Sequence, residues 1–150
     1  MLMWPCLRLS GEKHLVSGLT CCAKSGFVAF GTDAGMVLTA FRNHVGDKHV
    51  ADILFYASHT SHGRGPPSAT YRARFVCYDG AASGRAKPSW AKYRPDTTAN
   101  DQKWLSFYSV SNLRLLDRPI ILSSLTKLNN RGRLARNFIP IGPIIIDTPF

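Results

Sequence analysis

One glutamate, Glu12, and one glutamine, Gln102, stand in 150 residues. Solvent-facing helices are normally built from Glu, Gln, Lys, Ala and Leu, whose straight side chains lose little rotamer freedom and whose Glu to Lys pairs add support. This chain offers instead Ser, Thr, Val, Ile, Phe, Tyr, Gly and Pro, the vocabulary of short strands joined by turns. A biased nucleotide composition of the reading frame, or overlap with another gene, would produce the same scarcity without structural meaning. Taken structurally, it leads to a mainly β fold. The expected form is an antiparallel meander or a small sandwich, with at most one or two short helices.

The turn residues divide the chain accordingly. Residues 16–22, 27–30 and 36–41 read as three strands, separated by Lys24-Ser25-Gly26 and Thr32-Asp33-Ala34-Gly35, where glycine admits positive φ. Residues 50–58 are a fourth candidate, short enough to be a buried helical turn instead. Residues 59–68, with two glycines and two prolines, are loop. Residues 71–79 alternate as a strand closed by Asp79-Gly80. The connection 80–102 is long enough to carry function or disorder. Residues 104–110 and 114–116 read as a hairpin around Ser111-Asn112, and Pro119 opens a short helix over 120–128. The apolar, proline-rich tail is expected as an edge strand or as a docking segment, through which the protein could form an oligomer.

Length suits one domain spanning residues 1–150, and the net charge of +10 is distributed unevenly. Residues 1–60 carry five basic and four acidic residues and form the near-neutral meander. Residues 61–136 hold fourteen cations against four acids, interleaved with eight aromatics. Residues 137–150 are the apolar tail. A groove of cations and aromatics holds phosphates and stacks unpaired bases. The candidate nucleic-acid contacts are Arg72, Arg74, Arg85, Lys87, Trp90, Lys92, Tyr93, Arg94, Arg131, Arg133 and Arg136. Strict alternation places Arg72 and Arg74 on one strand face, with Phe75 on the other.

Catalytic and metal chemistry find little support. A single Glu leaves no Glu pair, and no nucleophile elbow, phosphate loop or dinucleotide fingerprint is present. His44, His49, His59 and His62 include an H-x-x-H spacing, yet they sit in loop sequence without the cysteine pairs or third fixed ligand that zinc sites use. Neither a metal nor a cofactor is expected. Cys6, Cys21, Cys22 and Cys77 form no C-x-x-C pair and read as free thiols of a reducing intracellular compartment, cytoplasm or nucleus. The start of the chain lacks the long apolar core of a secretory signal. The longest apolar runs, about five residues, fall far short of the ~20 a membrane-spanning helix needs.

Residues 16–41, V-S-G-L-T-C-C-A-K-S-G-F-V-A-F-G-T-D-A-G-M-V-L-T-A-F, resemble the middle of a blade in the WD-repeat β-propeller family. Gly26, Ala29, Gly31, Thr32, Asp33, Gly35, Val37 and Phe41 fall where that pattern places such residues, and residues 104–116 give a weaker echo of a last blade strand. Ala40-Phe41-Arg42 stands in place of the terminal Trp-Asp pair. A closed propeller needs at least four blades of about 40 residues, so the resemblance implies a partial propeller, a fragment or one shared with another chain, and a protein-interaction scaffold without catalytic residues. The sequence therefore leads to a non-catalytic basic module associated with nucleic acid, RNA or single strands, as a viral or ribonucleoprotein component. The alternative is a WD-like scaffold whose charge meets an acidic protein surface.

Overall fold

The computed structural model describes residues 3–9, 12–45, 52–57, 68–125 and 144–147. Among these residues six strands, β1 (Met3–Leu9), β2 (Phe27–Thr32), β3 (Asp52–Ala57), β4 (Ser68–Gly80), β5 (Ser106–Ile121) and β6 (Ile144–Asp147), join two α-helices, α1 (Glu12–Ser25) and α2 (Gly35–Val45). The strands form one sheet in the order β2-β5-β4-β3-β1-β6. β3, β4 and β5 make an antiparallel meander, β2 adds antiparallel to β5, β1 lies parallel to β3, and β6 closes the far edge antiparallel to β1. The fold is mainly β, and the tail forms the expected edge strand.

Strand directions dictate where α1 runs. β1 ends and β2 begins at the same end of the sheet, four strand positions apart, a gap of about 19 Å at ~4.8 Å per step. The 14 residues of α1 span about 21 Å. The helix therefore crosses the strands instead of returning along them. Leu15, Gly18 and Cys22 are buried, a spacing of three and four that makes one narrow apolar face. Glu12 stands in the first turn and Lys24 in the last, each favourable to the helix dipole. Gly26, at φ +80°, donates its N–H to the Cys22 carbonyl at 2.8 Å and turns the chain into β2.

Residues 16–22 and 36–41, expected as strands, are thus helical. The β-branched Val16, Thr20, Val37 and Thr39 favour extended backbone only weakly, and packing of one apolar face on a sheet outweighs that preference. The same residues carry the propeller resemblance, and over 16–41 the chain forms most of α1, then β2 and α2, in place of three paired strands. The antiparallel meander lies instead in β3, β4 and β5, within a single sheet that carries two helices.

The expected hairpin at Ser111-Asn112 is a bulge within the continuous β5. Arg72 pairs with Arg114 and Arg74 with Ser111, so β5 carries one extra residue there, and Asn112 takes φ +52°. A second shift leaves Val76 as the extra residue of β4. After β5 the expected helix over 120–128 is reduced to one 3-10 turn, Leu122–Ser124.

Alternation assigns the two faces. Val28, Phe30, Ile53, Phe55, Tyr71, Ala73, Tyr108, Val110 and Leu113 pack with Leu15 and Cys22 of α1 and Leu38 of α2. Phe30, Phe55 and Tyr108 form its aromatic centre, with ring centroids 5.8 to 6.5 Å apart. α2 is tied down by Thr39, hydrogen-bonded to the Tyr78 hydroxyl, and by Arg42, whose guanidinium lies 4.7 Å from the Tyr78 ring centroid. The opposite face holds a smaller cluster, in which Leu122 and Leu125 cover Leu54, Tyr56 and Ala69.

Gly31 lies on that second face, where a Cβ would stand 2.1 Å from Trp104 Cδ1. Gly31→Ala should therefore displace the indole and destabilise the fold by about 1–3 kcal/mol. Urea unfolding of the variant should show a lower midpoint with an unchanged m-value, and an unchanged midpoint would contradict this packing.

Candidate nucleic-acid interface

The candidate surface lies on the second sheet face, between two covered ends. At one end Leu122 and Leu125 close over β3 and β4. At the other, the 81–104 segment leaves β4, wraps the β2 edge and returns to β5. This expected long loop is ordered by short turns: Pro88–Tyr93 and Asp96–Thr98 are 3-10 helices, and an isolated bridge joins Ala82 to Arg85.

Asp101 fastens that segment. Its carboxylate accepts from Arg94 Nη2 at 2.8 Å, Trp104 Nε1 at 2.7 Å and Arg85 Nη1 at 3.4 Å, and its carbonyl accepts from Arg85 at 2.7 Å. Arg94 also donates to the Ala29 carbonyl at 2.8 Å and lies over the Phe107 ring at 5.0 Å. A bond to the backbone of β2, an edge strand, occupies a group that could otherwise pair with another chain. The side chains of Arg94 and Asp101 are only 13% and 16% exposed, so this cation is committed to the fold.

Cross-strand register defines the strip that remains. Phe27 pairs with Ser111, Ser111 with Arg74 and Arg74 with Asp52. Directly paired residues share a face, so these four form one row. The next row holds Arg114, Arg72 and Leu54. Arg72 and Arg74 therefore share a face as expected, and the half-buried Phe75 packs against the core on the other. Arg72 faces Arg114 directly, an unfavourable placement of like charges. Asp52 answers one of them, accepting from Arg72 Nη2 at 2.6 Å. Arg74 and Arg114 are exposed and form no ion pair among the described residues.

The β2 edge of the strip is aromatic. Phe27, 37% exposed, meets Tyr93 edge to face at 5.6 Å, and Lys92 Nζ stands 5.0 Å from the Tyr93 ring centroid. The Lys92 carbonyl accepts from Ser25 Oγ at 3.3 Å and Cys21 Sγ at 3.7 Å, which pins this turn to the end of α1.

The expected contact residues thus separate. Arg72, Arg74, Lys92 and Tyr93 border the strip. Arg85 is held by Asp101, and Lys87 pairs with Asp79. That contact, with the Gly80 N–H, holds the Asp79 carboxyl below its ordinary range. Trp90 is half-buried in the Pro88–Tyr93 turn, and Arg94 is internal. Arg131, Arg133 and Arg136 lie outside the described residues, as do His49, His59 and His62. Phe27 and Arg114, the exposed aromatic and the second unpaired cation of the strip among the described residues, were not among the sequence candidates. Alternation within the strands at 27–30 and 114–116 holds their signal, but the pairing that joins them is remote in sequence.

Among the described residues no three His, Cys, Asp or Glu side chains could hold a metal ion, and no helix is long and apolar enough to cross a membrane. Burial and the neighbouring Cys22 push the Cys21 thiol up, which keeps it protonated and a poor nucleophile. Cys21, Cys22 and Cys77 are free.

Asp101→Ala should cost about 2 kcal/mol or more, because it leaves Arg94 and Trp104 without their acceptor. Near-ultraviolet circular dichroism should report a changed Trp104 environment, and wild-type stability would contradict the role. His14 Nδ1 lies 2.9 Å from Thr97 Oγ1 and joins α1 to the same segment. Burial, then the nearby Lys13, hold His14 below its ordinary value. The folded protein then binds fewer protons than the unfolded chain, so the stability this site contributes is complete above about pH 6.5 and declines as pH falls through the lower folded value. Thermal unfolding across that window should be less pH-dependent in His14→Gln, and an identical pH profile would contradict the assignment. The chain matches no protein-family model, and comparison with curated proteins finds none similar to it.

Proposed function

We propose that the protein is a non-catalytic module that binds nucleic acid, RNA or single strands, on the sheet face opposite α1 and α2. The observation that carries this reading is the pair Arg74 and Arg114, two exposed cations on adjacent strands without an acidic partner among the described residues. Like charges are brought close on a rigid sheet at a cost in stability. A phosphate chain running over them relieves that repulsion and releases its condensed counterions. Arg72, anchored by Asp52, neighbours both, two residues from Arg74 on β4 and directly opposite Arg114 on β5, and extends the positive strip. The free thiols support a reducing, intracellular location.

Affinity for a labelled single-stranded oligonucleotide should fall steeply between ~50 and ~200 mM salt. Arg74→Ala and Arg114→Ala should each weaken binding irrespective of sequence and reduce the slope of log K against log salt by about 0.7. Lys13→Ala, on α1, should leave both unchanged. Undetectable binding, salt-insensitive binding, or equal effects of all three substitutions would overturn the proposal.

A further inference from the structure

We infer that Phe27 and Tyr93 form a stacking subsite for an unpaired base, which makes the protein selective for single strands over duplex; this rests on the nucleic-acid reading above. An exposed Phe on a strand is ordinary when it stands alone, but three placements set this one apart. Its ring stands on the sheet face that carries the exposed arginines, and Tyr93 walls it at 5.6 Å with an interplanar angle of 80°. Its cross-strand neighbour on that face is Ser111, a small side chain that leaves the space beside the ring low. Beyond Ser111 comes Arg74, two strand steps from Phe27, about 10 Å between backbones. A base lying on Phe27 then has Tyr93 on one side and its phosphate directed over Ser111 towards the Arg74 and Arg114 guanidiniums.

The subsite is also held in place in advance of any ligand. Tyr93 ends a 3-10 turn whose Lys92 carbonyl is bonded to Ser25 and Cys21 of α1. The next residue, Arg94, is locked by Asp101 and the Ala29 carbonyl. An ordered platform loses little side-chain entropy on binding. Lys92, near the Tyr93 ring, adds a cation beside the base position. A duplex hides its base faces within the stack and cannot use Phe27, whereas it can still meet the arginines.

The test compares three ligands of equal phosphate count: a single-stranded oligonucleotide, the same backbone made abasic, and a duplex. The wild-type protein should bind the single strand more tightly than the abasic strand by about 5- to 150-fold, the range given by one stacked base. Phe27→Ala should lower single-strand affinity towards the abasic value and leave abasic binding unchanged. Phe27→Trp should keep the preference, and thermal melts confirm that each variant is folded. Equal affinity of wild-type protein for the single-stranded and abasic ligands, or a preference for duplex, would overturn the stacking subsite while salt-dependent binding upheld the parent reading. A preference undiminished in folded Phe27→Ala would also overturn it. Binding of none of the three would overturn both.

Discussion

A single carboxylate, that of Asp101, draws the 81–104 segment together, and its partner Arg94 bonds that segment to the sheet. The carboxylate accepts hydrogen bonds from Arg85, Arg94 and Trp104 at once, and the two shielded donors each do a second thing. Trp104 lies against Gly31, where no side chain larger than hydrogen fits. Arg94 reaches the backbone of the β2 edge strand and covers the Phe107 ring. With those two fixed, Tyr93, immediately before Arg94, is held beside Phe27. A charged network that is largely shielded from water resists rearrangement, because releasing one partner leaves another unpaired.

The same network explains what the chain does with its charge. Between residues 61 and 136 fourteen cations face four acids, and three of those cations, Arg85, Lys87 and Arg94, are paired with Asp79 or Asp101. They serve the segment's architecture. Arg74 and Arg114, by contrast, stand on the rigid strands of the meander beside the one acid of the strip, Asp52, which is taken by Arg72. Net charge in a sequence counts both kinds alike; register distinguishes them.

Several of these features are legible in the residues alone. Strands at 27–30 and 71–79, the single-face placement of Arg72 and Arg74, and the tail as an edge strand follow from local alternation and turn chemistry, whereas the apolar run that holds β3, Asp52–Ala57, reads equally as a helical turn. The two helices do not. Scarcity of Glu and Gln argues against helices that face water on most sides, but α1 and α2 lie on a sheet and need one apolar stripe, written in α1 as Leu15, Gly18 and Cys22. Asn112 reads as a turn because its side chain tolerates positive φ, and a bulge uses that same tolerance. Phe27 joins the site only through the pairing of β2 with β5, about 80 residues apart, which local patterns do not encode.

The Asp101-anchored segment and the meander together are proposed to present one ligand-binding face. Backbone amide chemical-shift mapping during titration with a short single-stranded oligonucleotide tests this most directly. The largest shifts are expected at Phe27, Arg74, Tyr93, Ser111 and Arg114, with α1 and α2 little changed on their outer surfaces. Shifts concentrated on the helices, or none at saturating ligand, would contradict it.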